Sequence, residues 1–295
     1  MPYNGGNLIN MHVESFFETQ TKTITHIIVD TDTKKCAVID SVLDYDQDAA
    51  RFSTESASNI IKYIQDHNLK NEWILETHIH ADHLTGAFYL KEHIGGKVGI
   101  GSGILQVLKT WVPLFNTEND TPISGEQFDH LFDDGALFSI GNLSVRVMHT
   151  PGHTPACATY IVDEKSAFIG DTIFNPNLGT ARVDFPGGSA NDLYNSIQRI
   201  YNLPDSTILY MCHDYPKSDE APLKLITVKE QKEQNIMLNQ HTTLDEFKNK
   251  RSKRDKTLGA PRLILPSIQV NMRAGCMGRK TSNNIQYLKI PLNIL

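Results

Sequence analysis

In the stretch ETHIHADHLTG, residues 76–86, three histidines and an aspartate (His78, His80, Asp82 and His83) fall within six positions. They follow the apolar run Trp73-Ile74-Leu75, which reads as the end of a buried strand. Four good metal ligands in one loop would be costly to bury without an ion to hold them. Further ligand types recur downstream in the same setting. HTPGHTPAC (149–157) places His153 in a Pro/Gly-shaped turn after the strand-like LSVRVM, AFIGDTIF (167–174) places Asp171 beyond an apolar run, and LYMCHDY (209–215) does the same for His213. Several strand ends converging on one rim is how a rigid scaffold builds a preorganised site.

Working outward, MHVESFFE, TITHIIVD and KCAVID are rich in β-branched and aromatic residues and read as strands. STESASNIIKYIQDHN changes the period: Ser53 or Thr54 is placed to cap a helix whose Ile60, Ile61 and Ile64 share one face. LTGAFYLKEHIGG reads as a helix closed by Gly95, and SANDLYNSIQRIYNLP as another. KVGIG, GALFSIG, LSVRVMHT, ATYIVD, AFIGD and STILYMC read as strands, while VGIGSG (98–103) lacks dinucleotide-loop spacing and reads as a turn. Two batches of strands, each followed by helical material with no linker between them, predict two sheets packed face to face with helices outside, an α+β sandwich. A single domain over 1–295 is expected, with 222–295 a helical and strand-like part packed on it.

Composition narrows the function classes. A net charge of -6 gives no whole-chain footprint for nucleic acid, and no apolar window reaches membrane-spanning length. The start MPYNGGNLIN has neither signal-peptide nor transit-peptide character. Four scattered cysteines (Cys36, Cys157, Cys212, Cys276) without a C-x-x-C pair fit reduced thiols, so a cytoplasmic location is expected. Cys157 and Cys212 read as core residues. The run KNKRSKRDK (248–256) reads either as a solvated helix end or mobile loop, or as a basic rim for an anionic substrate.

The H-x-H-x-D-H pattern at His78, His80, Asp82 and His83, followed in order by His153, Asp171 and His213, resembles the metallo-β-lactamase superfamily. The resemblance implies an αββα sandwich of two mixed sheets with metal at one edge between them. A finer resemblance, carried by DSVLDYDQDAARFSTESA, WILETHIHADHLTGAFYLKE, GTARVDFPGG, CHDYPK and PSIQVNMRAG…YLKIPLN, is to the bacterial persulfide dioxygenases, also called sulfur dioxygenases and often mistaken for β-lactamase-like hydrolases.

That family implies one Fe(II) per chain, with His78, His153 and Asp171 as the ligands. Two imidazoles and a carboxylate form a facial triad with three positions free for substrate and O₂. His80, Asp82, His83 and His213 are then expected around the ligands or as a second metal site. The implied partners are glutathione persulfide and O₂, without nucleic acid or membrane, and the sequence leaves a homodimer open. Arg182, Arg273 and Tyr215 are the expected substrate contacts, since arginine forks match carboxylates, and Asp214 and Tyr215 the candidate catalytic groups. The alternative is a glyoxalase II-like hydrolase of glutathione thioesters with two metal ions, zinc among the candidates. It would use His78, His80 and His153 for one ion, Asp82, His83 and His213 for the other, and Asp171 as a bridge. The close QYLKIPLNIL, read as strand-like, is taken to separate the two, because glyoxalase II relatives carry a longer C-terminal helical segment that brings basic residues to glutathione.

Overall fold

The computed structural model describes residues 10–217 and 220–293; most of the opening stretch MPYNGGNLIN and the last two residues of the close lie outside the described residues. The chain runs β1 (Met11–Phe17), β2 (Ile24–Asp30), β3 (Lys35–Ile39), β4 (Val42–Asp46) and β5 (Arg51–Ser53). It continues through α1 (Glu55–Asp66), β6 (Lys70–Leu75), β7 (Leu84–Thr85), α2 (Ala87–Ile94), β8 (Lys97–Gly101) and α3 (Ile104–Phe115). The second half holds β9 (His130–Phe132), β10 (Leu137–Ile140), β11 (Leu143–His149), β12 (Ala158–Val162), β13 (Ser166–Phe168), α4 (Ala190–Tyr201) and β14 (Ile208–Tyr210). Last come β15 (Leu225–Thr227), α5 (Val228–Gln234), α6 (Leu244–Asp255) and α7 (Ile264–Asn271).

Two six-stranded sheets form, ordered β1-β2-β3-β6-β8-β9 and β10-β11-β12-β13-β14-β15, with a three-stranded ribbon β5-β4-β7 beside them. Both large sheets are mixed. In the first, β3, β6, β8 and β9 pair in parallel while β1 and β2 run antiparallel; in the second, β13 and β14 are the parallel pair. Period-two alternation decides which residues face which layer. On β2, Ile27 and Val29 join the cluster under α1 and α3, while Ile28 joins Ala37, Ile39 and Leu75 between the sheets. On the second sheet, Val145, Val147, Tyr160 and Phe168 face that interlayer, and Ile161, Ala167 and Leu209 pack on Leu193, Ile197 and Ile200 of α4. The result is the expected αββα sandwich.

Local details depart from the sequence reading in instructive ways. Thr54 occupies the N-cap position of α1 without a side-chain cap bond; Asp44 of β4 accepts from the Ser56 backbone N–H (2.9 Å) and hydroxyl (2.6 Å) instead. VGIGSG is not a turn throughout: Val98 to Gly101 belong to a strand, and α3 follows at once, a helix whose Val107, Leu108, Trp111 and Phe115 fill the outer cluster. The described part of QYLKIPLNIL forms no strand. Gln269 ties it down by donating to the Lys289 carbonyl (2.8 Å) and accepting from the Lys289 N–H (2.9 Å). Side-chain bonds replace a sheet ladder there. The C-terminal part is mainly helical and joins both halves, Phe247 of α6 packing with α4 and Ile264, Ile268 and Met272 of the α7 region with α1 and α3. No described helix is long and apolar enough to cross a membrane.

Candidate metal centre

Four chain segments deliver the ligands, each leaving a strand at the same rim. His78 to His83 form the loop after β6, and all three histidines there are buried. His153 follows β11 through Gly152, whose φ is +139° and where a Cβ would lie 2.2 Å from the Leu193 backbone nitrogen. Only glycine allows that approach. Asp171 sits in a single 3-10 turn (Gly170–Thr172) beyond β13, and His213 lies beyond β14, paired as an isolated bridge with Thr23. Because β13 and β14 are parallel, their ligands emerge side by side.

The side chains sort into two groups whose donor atoms all lie within 4.8 Å of one another: His78, His153 and Asp171 in one, and His80, Asp82, His83 and His213 in the other. Asp171 joins them. Its Oδ2 is 3.7 Å from His78 Nε2 and 3.8 Å from His153 Nε2, and its Oδ1 is 3.4 Å from His213 Nε2. Asp82 Oδ2 stands 3.3 Å from the same His213 Nε2.

A metal fits this donor set. His78 Nε2, His80 Nδ1, His83 Nε2, His213 Nε2, Asp82 Oδ2 and Asp171 Oδ1 are buried with no hydrogen-bond partner among the described residues. Six such atoms converging on one rim would cost several kcal/mol each if nothing bound them. The opposite ring atoms are held, which fixes the tautomers. His78 Nδ1 meets Thr77 Oγ1 (3.0 Å), His80 Nε2 meets Asp40 (3.0 Å) and Glu76 (3.5 Å), and His83 Nδ1 meets Thr23 Oγ1 (3.2 Å). His153 Nδ1 and His213 Nδ1 donate to the backbone carbonyls of Arg182 (2.8 Å) and Lys22 (3.2 Å).

The electrostatics separate the rings. Burial, reinforced by the neighbouring imidazoles, pushes His78 well below the usual histidine range, and His83 is lowered for the same reasons. Burial also opposes charge on His80 and His213. Asp40 and Glu76 outweigh it at His80, and Asp82 and Asp171 outweigh it at His213, so both are raised. Burial acts to raise Asp82, but His213 and His83 dominate and hold it ionised.

The site forms the floor of a cavity of about 850 Å³, within the range of small-molecule sites. His153, Asp171 and Asp82 reach it from below, and Phe174, Leu178, Phe185, Tyr215 and Leu258 contribute apolar wall. Of the expected substrate contacts, Tyr215 lines the cavity and stacks near His213, with ring centroids 6.4 Å apart. Arg182 also lines it, but its fork is bound to Asp184 (2.6 and 2.7 Å) and its guanidinium lies over Phe185, so it braces the loop that orients His153. Arg273 is misplaced in the sequence reading. It is buried outside the cavity lining, donating to the carbonyls of Cys276 (3.0 Å) and Met277 (3.3 Å) beside Asp120. Asp214 is likewise outside the cavity lining: its carboxylate is buried and accepts from Leu223 N–H (2.7 Å) and Asn175 (3.3 Å), bracing the loop after His213. Cys157 and Cys212 are buried as expected, and burial pushes the Cys157 thiol up to about 12.

The basic run proves to be the end of α6. Arg251 is buried against Asp255 and the Thr180 carbonyl, while Arg254, together with Arg262 beyond the helix, faces the cavity. Arg182 and Arg251 are neutralised by aspartates, whereas among the described residues Lys22, Arg254 and Arg262 form no ion pair. The sequence reading offered the run that holds Arg254 as one of two alternatives, and it singled out neither Arg262, Lys22 nor Asp40.

A model of the metallo-β-lactamase superfamily matches residues 23–213. The chain belongs to that superfamily, a class defined by this sandwich and this ligand rim. Among relatives, it is 50% identical over 284 residues to a Dictyostelium discoideum protein named Glyoxylase B2, covering 96% of this chain and 97% of that one. It is 46% identical over 294 residues to a probable metallo-hydrolase of Burkholderia pseudomallei, covering 97% and 100%. The mitochondrial persulfide dioxygenase of Homo sapiens is 28% identical over 273 residues, covering 92% and 91%. In structure, the crystal structure of ETHE1 from Myxococcus xanthus superposes with a TM-score of 0.71 at 25% identity, covering 90% of this chain and 100% of that one.

Proposed function

We propose that this chain is an Fe(II)-dependent persulfide dioxygenase that converts glutathione persulfide, O₂ and water to sulfite and glutathione. The observation that carries the reading is the group of His78, His153 and Asp171, two imidazoles and a carboxylate beneath an open cavity. That donor set suits a non-haem iron with free coordination positions. Bound Fe(II) would supply the redox chemistry with O₂ that no side chain here can provide. Both oxygen atoms end on the outer sulfur, and water then cleaves the S–S bond, leaving glutathione as the thiol.

The chain's own residues set the substrate. Arg254, Arg262 and Lys22, which form no ion pair among the described residues, hold the carboxylates of the peptide, while Phe174, Phe185 and Tyr215 shield the persulfide end from water. His80, Asp82, His83 and His213 surround the ligands and stabilise their charge.

Hydrolysis of a glutathione thioester is the second reading, favoured by the completeness of the four-residue group and by the relative named Glyoxylase B2. The strand-like close offered as a distinction no longer serves. The C-terminal part is mainly helical and brings arginines to the cavity. Oxygen uptake by anaerobically iron-loaded protein given glutathione persulfide, with metal counted on the same sample, decides between the readings. Uptake matching sulfite release at one iron per chain supports the dioxygenase; no uptake, two metals and cleavage of S-lactoylglutathione replace it with the hydrolase. His83→Ala sharpens the choice: partial activity is expected of the dioxygenase and collapse of the hydrolase.

A further inference from the structure

The segment matched by the superfamily model ends at residue 213, yet the metal-binding loop is not held by that segment alone. Asn271, the last residue of α7, lies 2% exposed directly behind it. Its amide nitrogen donates to two loop carbonyls, those of His80 (2.8 Å) and His83 (2.8 Å). Its amide oxygen accepts from the Thr85 backbone N–H (2.8 Å). One side chain thus uses both donors and its acceptor on a six-residue stretch that carries three members of the four-residue group.

The arrangement continues inward. The Thr85 hydroxyl donates to Glu76 Oε1 (2.5 Å), and Glu76 Oε2 is 3.5 Å from His80 Nε2. Asn271 itself is immobile, because Ile264, Ile268 and Met272 anchor α7 in the main helical-side cluster and Val270 packs on Leu43 and Leu84. A loop lacking regular hydrogen bonds, with carbonyls buried, must find donors elsewhere. Here they come from a residue 188 positions after His83.

We propose that Asn271 is a positioning residue for the metal centre: it sets the turn of the His80–His83 loop so that His80, Asp82 and His83 converge with His213. The C-terminal part is then a component of the metal site. This inference does not depend on which reaction the centre performs.

Asn271→Asp tests it, since the carboxylate keeps the acceptor for Thr85 but sets oxygen against both loop carbonyls. Fe(II) and, separately, Zn(II) retention are measured by competition with a chromophoric chelator, and melting is followed with and without metal. Metal retention about 10- to 100-fold weaker is expected, the range for partners that orient ligands, together with loss of most of the metal-induced rise in melting temperature. Asn271→Ser, smaller and keeping one donor, is expected between the two, and it carries the test if the aspartate variant does not fold. Retention equal to the parent in whichever variant folds overturns the proposal. So does a fall in melting temperature that is the same with and without metal, which would make Asn271 a residue of the fold and not of the site.

Discussion

The floor and the α6 side of the cavity are built on opposite plans. On the floor the histidines and Asp171 are buried and Asp82 is half-buried, every imidazole has its second nitrogen engaged, and Asp40, one of the engaged partners, is itself hydrogen-bonded by Thr77. The α6 side is a helix with a largely charged exposed face; its Arg251 is paired with Asp255, while among the described residues its Arg254 reaches the cavity with no ion pair. Rigid, desolvated geometry suits holding an ion, and mobile charged side chains suit gripping carboxylates that arrive with their own water. The difference teaches where chemistry and selectivity are divided in this fold: the floor fixes what can be bound as metal, the wall what can be brought to it.

The contrast can be broken most severely at Asp171, which touches both ligand groups. Asp171→Ala is expected to abolish metal binding and activity together, measured by metal content after gel filtration; a variant retaining full metal would refute the floor's arrangement. Next comes the support behind the floor. His26 bonds Ser15 (2.8 Å) and the carbonyl of Met211 (2.8 Å), tying β2 to the strand that ends in His213. Burial lowers it from 6.5 to about 4. The folded state therefore holds it neutral where the unfolded chain is protonated. Stability from this source is complete above pH 6.5 and is lost as pH falls towards 4, about 3 kcal/mol in all. Urea unfolding at stepped pH should show this slope, and His26→Gln should flatten it; parallel slopes would remove His26 from the account.

Asp40→Asn is smaller in effect. It weakens the pairing with His80 and is expected to reduce metal affinity about 10- to 100-fold with the fold retained, read by chelator competition. Smallest is the wall. Thr243 and Glu246 form a reciprocal capping box at the start of α6. Thr243→Ala should cost about 1 kcal/mol of stability while leaving metal retention unchanged. A loss of metal in that variant would show that wall and floor are not separable.

Legibility in the sequence follows the same division. The sandwich was readable because the β-branched content of runs such as ITHIIVD and the 3.6-residue spacing of Ile60, Ile61 and Ile64 report local geometry directly. The cluster was readable because six positions crowded with histidine have few uses other than metal. What escaped were side-chain orientations and pairings across long sequence separations. Arg273 and Asp214 stand beside informative motifs, yet their side chains turn to bond neighbouring backbone, which proximity in sequence cannot reveal. Asp40 and Asn271 carry no motif, and their roles exist only once β3 and α7 are packed against the loop after β6. The close was misread because LKIPLN has strand composition, but Pro291 and the bonds to Gln269 leave it no ladder to join.

The ligand rim is also a seam. His78 to His83 belong to the first sheet, while His153, Asp171 and His213 belong to the second. An ion seated there would add a tie between two layers already joined by apolar contacts and by bonds such as those of His26 to the Met211 carbonyl and Tyr160 to the Glu76 carbonyl. Binding only the folded form, at a concentration 100-fold above its dissociation constant, it adds about 2.7 kcal/mol of stability. On the proposed metal binding, the same ion would bear on survival as well as on activity: chains without metal would open more often than loaded ones and meet proteolysis sooner.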